Sequence, residues 1–140
     1  MKAIVLVLAL AGALAPALPR GALAQRADAY RRLYDPNTVE TVSGRVVSIE
    51  HIVHGRRGYY GEHLVLSTHQ GRLVEHLGPG WFMEKQALQI TPHEELSITG
   101  SRVLLGGKPA LIAARVVKGN ETRVLRNAQG LLVWRGSRYP

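Results

Sequence analysis

The feature that most constrains the fold is one long β-type segment, Val39 to Val53, with a glycine inside it. Its apolar alternation holds through Val42, Gly44 and Val46 and then shifts phase. A glycine beside a phase shift in a long strand is typical of a β-bulge or a sharp bend. We therefore predict a bent first strand, as the closure of a small barrel requires.

Turn signals divide the following chain into further strands and one helix. Apolar residues at 83, 87 and 90, and again at 81 and 88, predict the helix, with Pro79 before it and Pro92 after it. The segments 121–126 and 131–134 are predicted to form a short hairpin or an extended tail. The predicted strands are 39–53, 62–68, 72–77, 95–105 and 110–118, with the helix over 81–90.

This β-β-β-α-β-β order predicts a mainly β chain, folded as a small OB-fold-like Greek-key barrel with one short helix. The fourth strand is also long and carries Gly100 in its middle, which again suits a small closed barrel. The apolar faces of the strands predict these core residues: Val46, Leu64, Leu66, Leu73, Ile98 and Ile112.

The first 24 residues predict export. Lys2 begins a short positive start, an apolar run covers residues 3–18, and residues 22–24 form a small-x-small cleavage site. The run is shorter than the roughly 20 residues of a membrane-spanning helix, and Pro16 and Pro19 interrupt it. We expect a periplasmic or secreted protein with no membrane span in the mature chain. The expected organisation is a signal peptide 1–24, an extended lead-in 25–38, the barrel 39–126, and a tail or extra strand 127–140.

Charge and cysteine content narrow the function classes. Cleavage after residue 24 removes Lys2 and Arg20 from 18 basic residues, which leaves 16 against 10 acids and a net charge of +6. A basic excess favours anionic partners, although it also serves to keep a small protein soluble. The sequence has no cysteine, which excludes a lipoprotein anchor, a thiol nucleophile and covalently attached haem.

Several short segments spread over nearly the whole mature chain carry a family resemblance: Tyr34-Asp35-Pro36, Gly44, residues 76–82, 100–103 and 107–114, and Trp134. With them the chain resembles the C-terminal domain of the magnetosome proteins MamS and MamX. It is more distantly similar to the periplasmic bacterial OB-fold proteins, which are implicated in envelope stress. The resemblance implies a β-barrel and a non-catalytic role.

A basic and aromatic loop is the main candidate binding site. Arg56, Arg57, Tyr59 and Tyr60 join the first two strands, and Lys108 lies in the loop between the fourth and fifth. In OB-folds these two loops flank the usual binding face. Arginine with tyrosine suits single-stranded nucleic acid or oligosaccharide. The alternative interpretation is a solvated loop whose tyrosines pack over the barrel.

Two histidines give a second hypothesis. If His69 and Gln70 are the central residues of a hairpin, His63 faces His76 across the strand pair, close enough to share a metal ion. Glu75 then points to the other face, and a register slip of one residue would destroy the pairing. The other interpretation is two surface or half-buried histidines without a ligand.

No catalytic constellation is found, and neither a phosphate loop nor a dinucleotide fingerprint is present. We therefore predict a non-enzymatic exported binding module without a cofactor, which docks an envelope protein or another anionic ligand. The alternatives are single-stranded nucleic-acid binding, which the signal peptide opposes, and a metal-handling accessory role through His63 and His76.

Overall fold

The computed structural model describes residues 33–54 and 59–134. The predicted signal peptide and the tip of the first loop lie outside these residues. A short 3-10 turn, Pro36–Thr38, precedes the first strand. The elements are β1 (Val39–His54), β2 (Tyr59–Thr68), β3 (Gly71–Pro79), α1 (Gly80–Met83), β4 (Glu95–Leu105), β5 (Lys108–Lys118) and β6 (Glu121–Val124).

The strands form one sheet in the order β3-β2-β1-β4-β5-β6, in which neighbours are antiparallel. In addition, Val74–His76 of β3 pairs in parallel with Ala110–Ile112 of β5. This contact closes the first five strands into a barrel-like ring. The predicted fold class, mainly β with one short helix, is confirmed.

The predicted bend in β1 is present. Its first part pairs with β4 as far as Arg45, and from Arg45 onward it pairs with β2. The register with β2 shifts between Val46 and Ser48, so the bulge lies three residues beyond Gly44. Gly44 has a separate role, because a Cβ there would lie 2.6 Å from the backbone oxygen of Ser67.

Two-residue turns connect the hairpins as predicted. Gly106 and Gly107 have φ values of 56° and 77°, the left-handed conformation that a tight hairpin turn requires at both central positions. Lys118 pairs with Glu121 across Gly119 and Asn120. After β6 the chain turns back, and Arg126 bridges Leu132.

The helix prediction over 81–90 was wrong in length, because α1 ends at Met83. The side-chain amide of Gln86 donates to the Phe82 carbonyl, the acceptor that an α-helix would offer to its backbone N–H. The chain then runs irregularly and still buries Leu88. The helix-like apolar spacing therefore comes from a segment that covers one end of the ring.

The core lies inside the ring. All six predicted core residues are buried, with exposures from 0% to 6%. Ile112 is buried but does not belong to the main core cluster. Its neighbours Leu111 and Ala113 face the inside of the ring, so the side chain of Ile112 faces the other side of β5. Leu125 and Trp134 from the C-terminal segment also pack against this cluster. Among the described residues, no helix is long and apolar enough to cross a membrane.

Candidate functional site

The outer side of β2 and β3 carries the predicted histidine pair. Strand alternation turns Leu64, Leu66 and Leu73 inward, where they are buried. We call the opposite side the β2–β3 face, which is formed by His63, Val65, Ser67, Arg72, Val74 and His76. Its six residues pair directly across the two strands, in the register that a His69-Gln70 turn predicts.

His63 and His76 lie side by side, with ring centroids 3.8 Å apart and ring planes inclined by 31°. A metal ion lies in the plane of each imidazole that binds it, along the nitrogen lone pair. Two rings whose centroids are only 3.8 Å apart and whose planes are tilted by 31° do not direct two lone pairs at one point. Within the described residues, no group of three or more His, Cys, Asp or Glu is placed to hold a metal. Shared metal binding would thus require one ring to rotate and stays an alternative hypothesis.

The other predicted binding residues are spread over both ends of this face. Arg56 and Arg57 lie outside the described residues. The prediction that Tyr59, Tyr60 and Lys108 lie in loops was wrong, because β2 begins at Tyr59 and β5 begins at Lys108. Strand pairing thus extends further toward each turn than the apolar alternation indicates, and Lys108 is exposed there. Gly61 pairs with Pro79, at the far end of β3 from Arg72. At about 3.3 Å per residue, the two ends of the face are roughly 20 Å apart. A ligand that contacts both loops must therefore span the whole face.

Tyr60 is turned to the inner side of the β1–β2 hairpin. Its hydroxyl donates to the Glu84 carboxylate, and its ring centroid lies 4.4 Å from that of His51. The hydrogen bond to Glu84, with smaller contributions from burial and nearby carboxylates, raises the pKa of Tyr60 to about 12. Gly80 makes room for this ring, because a Cβ there would lie 2.0 Å from Cε2 of Tyr60. Tyr60 is therefore engaged within the protein.

A cavity of about 340 Å³ lies beside Tyr60 at this end of the ring, and we call it the mouth groove. Its lining residues are far apart in the chain, so sequence patterns do not indicate this cavity. The lining residues are Ile49, His51, Tyr60, Glu62, Met83, Glu84, Leu88, Gln89 and Ile90.

Glu62 is the most enclosed carboxylate of the mouth groove, with a side chain 15% exposed. Burial raises its pKa, His51 lowers it in part, and the negative charge of Glu84 raises it. Nε2 of His51 lies 3.8 Å from Oε2 of Glu62. The mouth groove therefore holds two carboxylates that repel each other beside one imidazole.

A further carboxyl group lies inside the ring, in the middle of β3. Glu75 pairs with Leu64 of β2 and Leu111 of β5 and is 0% exposed. Neither carboxyl oxygen has a hydrogen-bond partner among the described residues. Nearby, Arg102 donates to Glu40 through a 2.6 Å hydrogen bond. Burial raises the pKa of Glu75 to about 8, with a lowering effect from Arg102 and a raising effect from Glu40.

Comparison with known proteins gives a family match. The sequence profile of the MamS/MamX magnetosome protein family matches residues 38–123, which is more than half of the 140-residue chain. The matched region runs from the turn before β1 into β6. This match confirms the resemblance that the sequence indicates. No curated protein matches the chain significantly.

Proposed function

The chain belongs to the MamS/MamX magnetosome protein family, and we propose that it is an exported, non-enzymatic binding module for an anionic or acidic envelope partner. Its docking surface is the β2–β3 face together with the loops at both ends. The signal-peptide pattern of residues 1–24 supports a periplasmic or secreted location. The ring order of the first five strands supports an OB-fold, whose binding surface is this strand pair.

The observation that carries the proposal is the separation of basic from acidic side chains across β2 and β3. Arg72 lies on the outer side, while the carboxyl groups of Glu62 and Glu75 lie on the inner side. In the described part of both strands, no carboxylate lies on the β2–β3 face. An anionic ligand on this face would therefore meet the Arg72 guanidinium without a local carboxylate to repel it.

Lys108 extends this positive surface. Val74 pairs in parallel with Ala110, and a continuation of this register by two residues would bring Arg72 beside Lys108. Both side chains are exposed. In the sequence, Arg56 and Arg57 stand between β1 and β2, outside the described residues. Exposed charges of this kind steer association and are screened by salt.

Fluorescence anisotropy with a labelled deca-glutamate peptide tests the proposal. The double variant Arg72→Ala/Lys108→Ala should bind the peptide more weakly at low salt and show a shallower salt dependence. Lys85→Ala/Arg115→Ala is the matched control, because it also removes one lysine and one arginine, both of which are exposed and lie outside β2 and β3. Equal losses in the variant and the control would mean that only net charge matters, which contradicts the proposal.

A single-stranded oligonucleotide of thymidines distinguishes the nucleic-acid alternative in the same assay. Its binding should decline steeply with salt, in proportion to the number of phosphates neutralised. We expect that decline to abolish oligonucleotide binding near physiological ionic strength. Tight oligonucleotide binding that persists at physiological ionic strength would favour nucleic acid, and not an acidic protein, as the partner.

A further inference from the structure

The mouth groove lies on the opposite side of the β1–β2 hairpin from the β2–β3 face. On β1, Ile49, His51 and Val53 face the groove side, and they pair with Leu64, Glu62 and Tyr60 of β2. Along this side the residues change from the buried Leu64 to the polar Glu62 and Tyr60. The inner surface of the hairpin thus continues from the core into a polar recess.

The charge of the recess is negative and is poorly balanced. Glu62 and Glu84 contribute two carboxylates, and among the described lining residues there is no lysine or arginine. The nearby Lys118 lies at the edge of the recess, where it donates to the backbone carbonyl of Gln89 and, at 3.4 Å, to the Glu94 carboxylate. The nearby Lys85 lies over the Trp81 ring, 5.8 Å from its centroid. A bound cation would relieve the repulsion between the two carboxylates.

The remaining surfaces of the groove suit a cation that has an apolar stem. Met83 and Leu88 are buried and, with Ile90, they form an apolar wall. The rings of His51 and Tyr60 stand beside the carboxylates. A guanidinium group is planar, stacks on aromatic rings and binds carboxylates in pairs, while its alkyl stem packs on apolar surface. The cavity volume is at the lower end of the range for ligand pockets, which fits one side chain.

We propose that the mouth groove binds an arginine side chain presented by a partner protein. A protein is favoured over a free amine because apolar surface continues beyond the groove on the same side of the hairpin, where Val53 is 64% exposed. A polypeptide around the arginine would cover Val53, as interface cores do. This inference does not depend on the function proposed above, because it concerns the other side of the hairpin.

NMR titration of the isotope-labelled chain tests the proposal with a capped Gly-Arg-Gly peptide. The matched probe is the same peptide with citrulline, which keeps the shape of arginine but lacks its charge. The arginine peptide should shift the amide signals of Ile49, His51 and Ile90, whereas the citrulline peptide should leave them in place. Glu62→Gln should weaken arginine-peptide binding about tenfold, the loss expected for one charge-assisted hydrogen bond. Glu121→Gln, an exposed acid of β6, should bind like the wild type.

Four results would overturn the proposal. Equal shifts with both peptides would show that charge plays no part, and shifts confined to other surfaces would place the cation elsewhere. Tighter binding of spermidine than of the peptide would make the occupant a free polyamine. Peptide binding by the double variant Arg56→Ala/Arg57→Ala, but not by the wild type, would mean that an arginine of the chain itself occupies the groove.

Discussion

Glu75 gives the sharpest stability prediction. It is 0% exposed, and its carboxyl oxygens have no hydrogen-bond partner among the described residues. Because burial raises its pKa from 4.5 to about 8, the folded chain keeps this proton at a pH where the unfolded chain has lost it. Glu75→Gln removes the titration and keeps the shape of the neutral carboxyl group.

The sign follows from proton linkage. Below the unfolded pKa both states are protonated, and Glu75 carries no ionisation penalty. Between the unfolded and the folded pKa the unfolded state binds fewer protons, so stability declines as pH rises, by about 1.4 kcal/mol per pH unit. Over roughly three units, from about pH 5 to about pH 8, the contribution of Glu75 declines by about 4 kcal/mol. Above the folded pKa it stays constant.

Urea unfolding at a series of pH values measures this contribution. Near pH 5 the wild type and Glu75→Gln should differ little, and near pH 8 the variant should be more stable by about 4 kcal/mol. Glu121→Gln is the control, because that exposed side chain should leave the pH dependence of the wild type unchanged. Parallel stability curves for the wild type and Glu75→Gln would refute the reasoning, because they would mean that Glu75 ionises equally well in both states.

Three further predictions concern the core, the Tyr60 contact and the histidines. Leu66→Ala should cost about 2–5 kcal/mol in urea unfolding, since Leu66 is 0% exposed; an unchanged midpoint would contradict the assigned strand faces. Gly80→Ala should displace the Tyr60 ring and destabilise by about 0.5–1.5 kcal/mol through loss of its hydrogen bond to Glu84; wild-type stability would contradict the close contact. Zinc should leave the thermal midpoint unchanged, because the His63 and His76 rings are stacked; a rise that His76→Ala abolishes would favour the metal alternative.

Local signals in the sequence were sufficient to predict the strand framework. Gly106 and Gly107 mark a hairpin because few other residues adopt two consecutive positive φ values. The turn at His69-Gln70 then determined the β2–β3 register as far as the His63–His76 pair, beyond which the register shifts by one residue. Register follows from turn position because side chains alternate with a period of two.

Contacts between distant segments explain what the sequence did not predict. The apolar spacing of residues 81–90 resembles a helix, but the burial of Leu88 at the mouth of the ring determines the path of this segment. The inward turn of Tyr60 depends on Glu84 and on the space left by Gly80. Tyr60 and Glu84 are 24 residues apart in the sequence, so local patterns do not indicate this contact.

The inward position of Glu75 could be predicted, but its isolation could not. Alternation within β3 places the Glu75 side chain on the same face of the strand as Leu73 and Leu77, whereas His76 lies on the other face. Sequence patterns do not show, however, that the nearby Arg102 donates to Glu40 and leaves Glu75 without a partner. A glutamate that alternates with buried leucines in a predicted strand is the signal that could have identified this group.

The central claim is that the β2–β3 face, and not the mouth groove, docks an anionic partner. Chemical-shift mapping of the purified chain with unlabelled deca-glutamate tests it most directly. We expect the largest chemical-shift changes at Arg72, Val74 and Lys108, with little change at Ile49 and Ile90. Shifts centred on the mouth groove, or none at low salt, would contradict it.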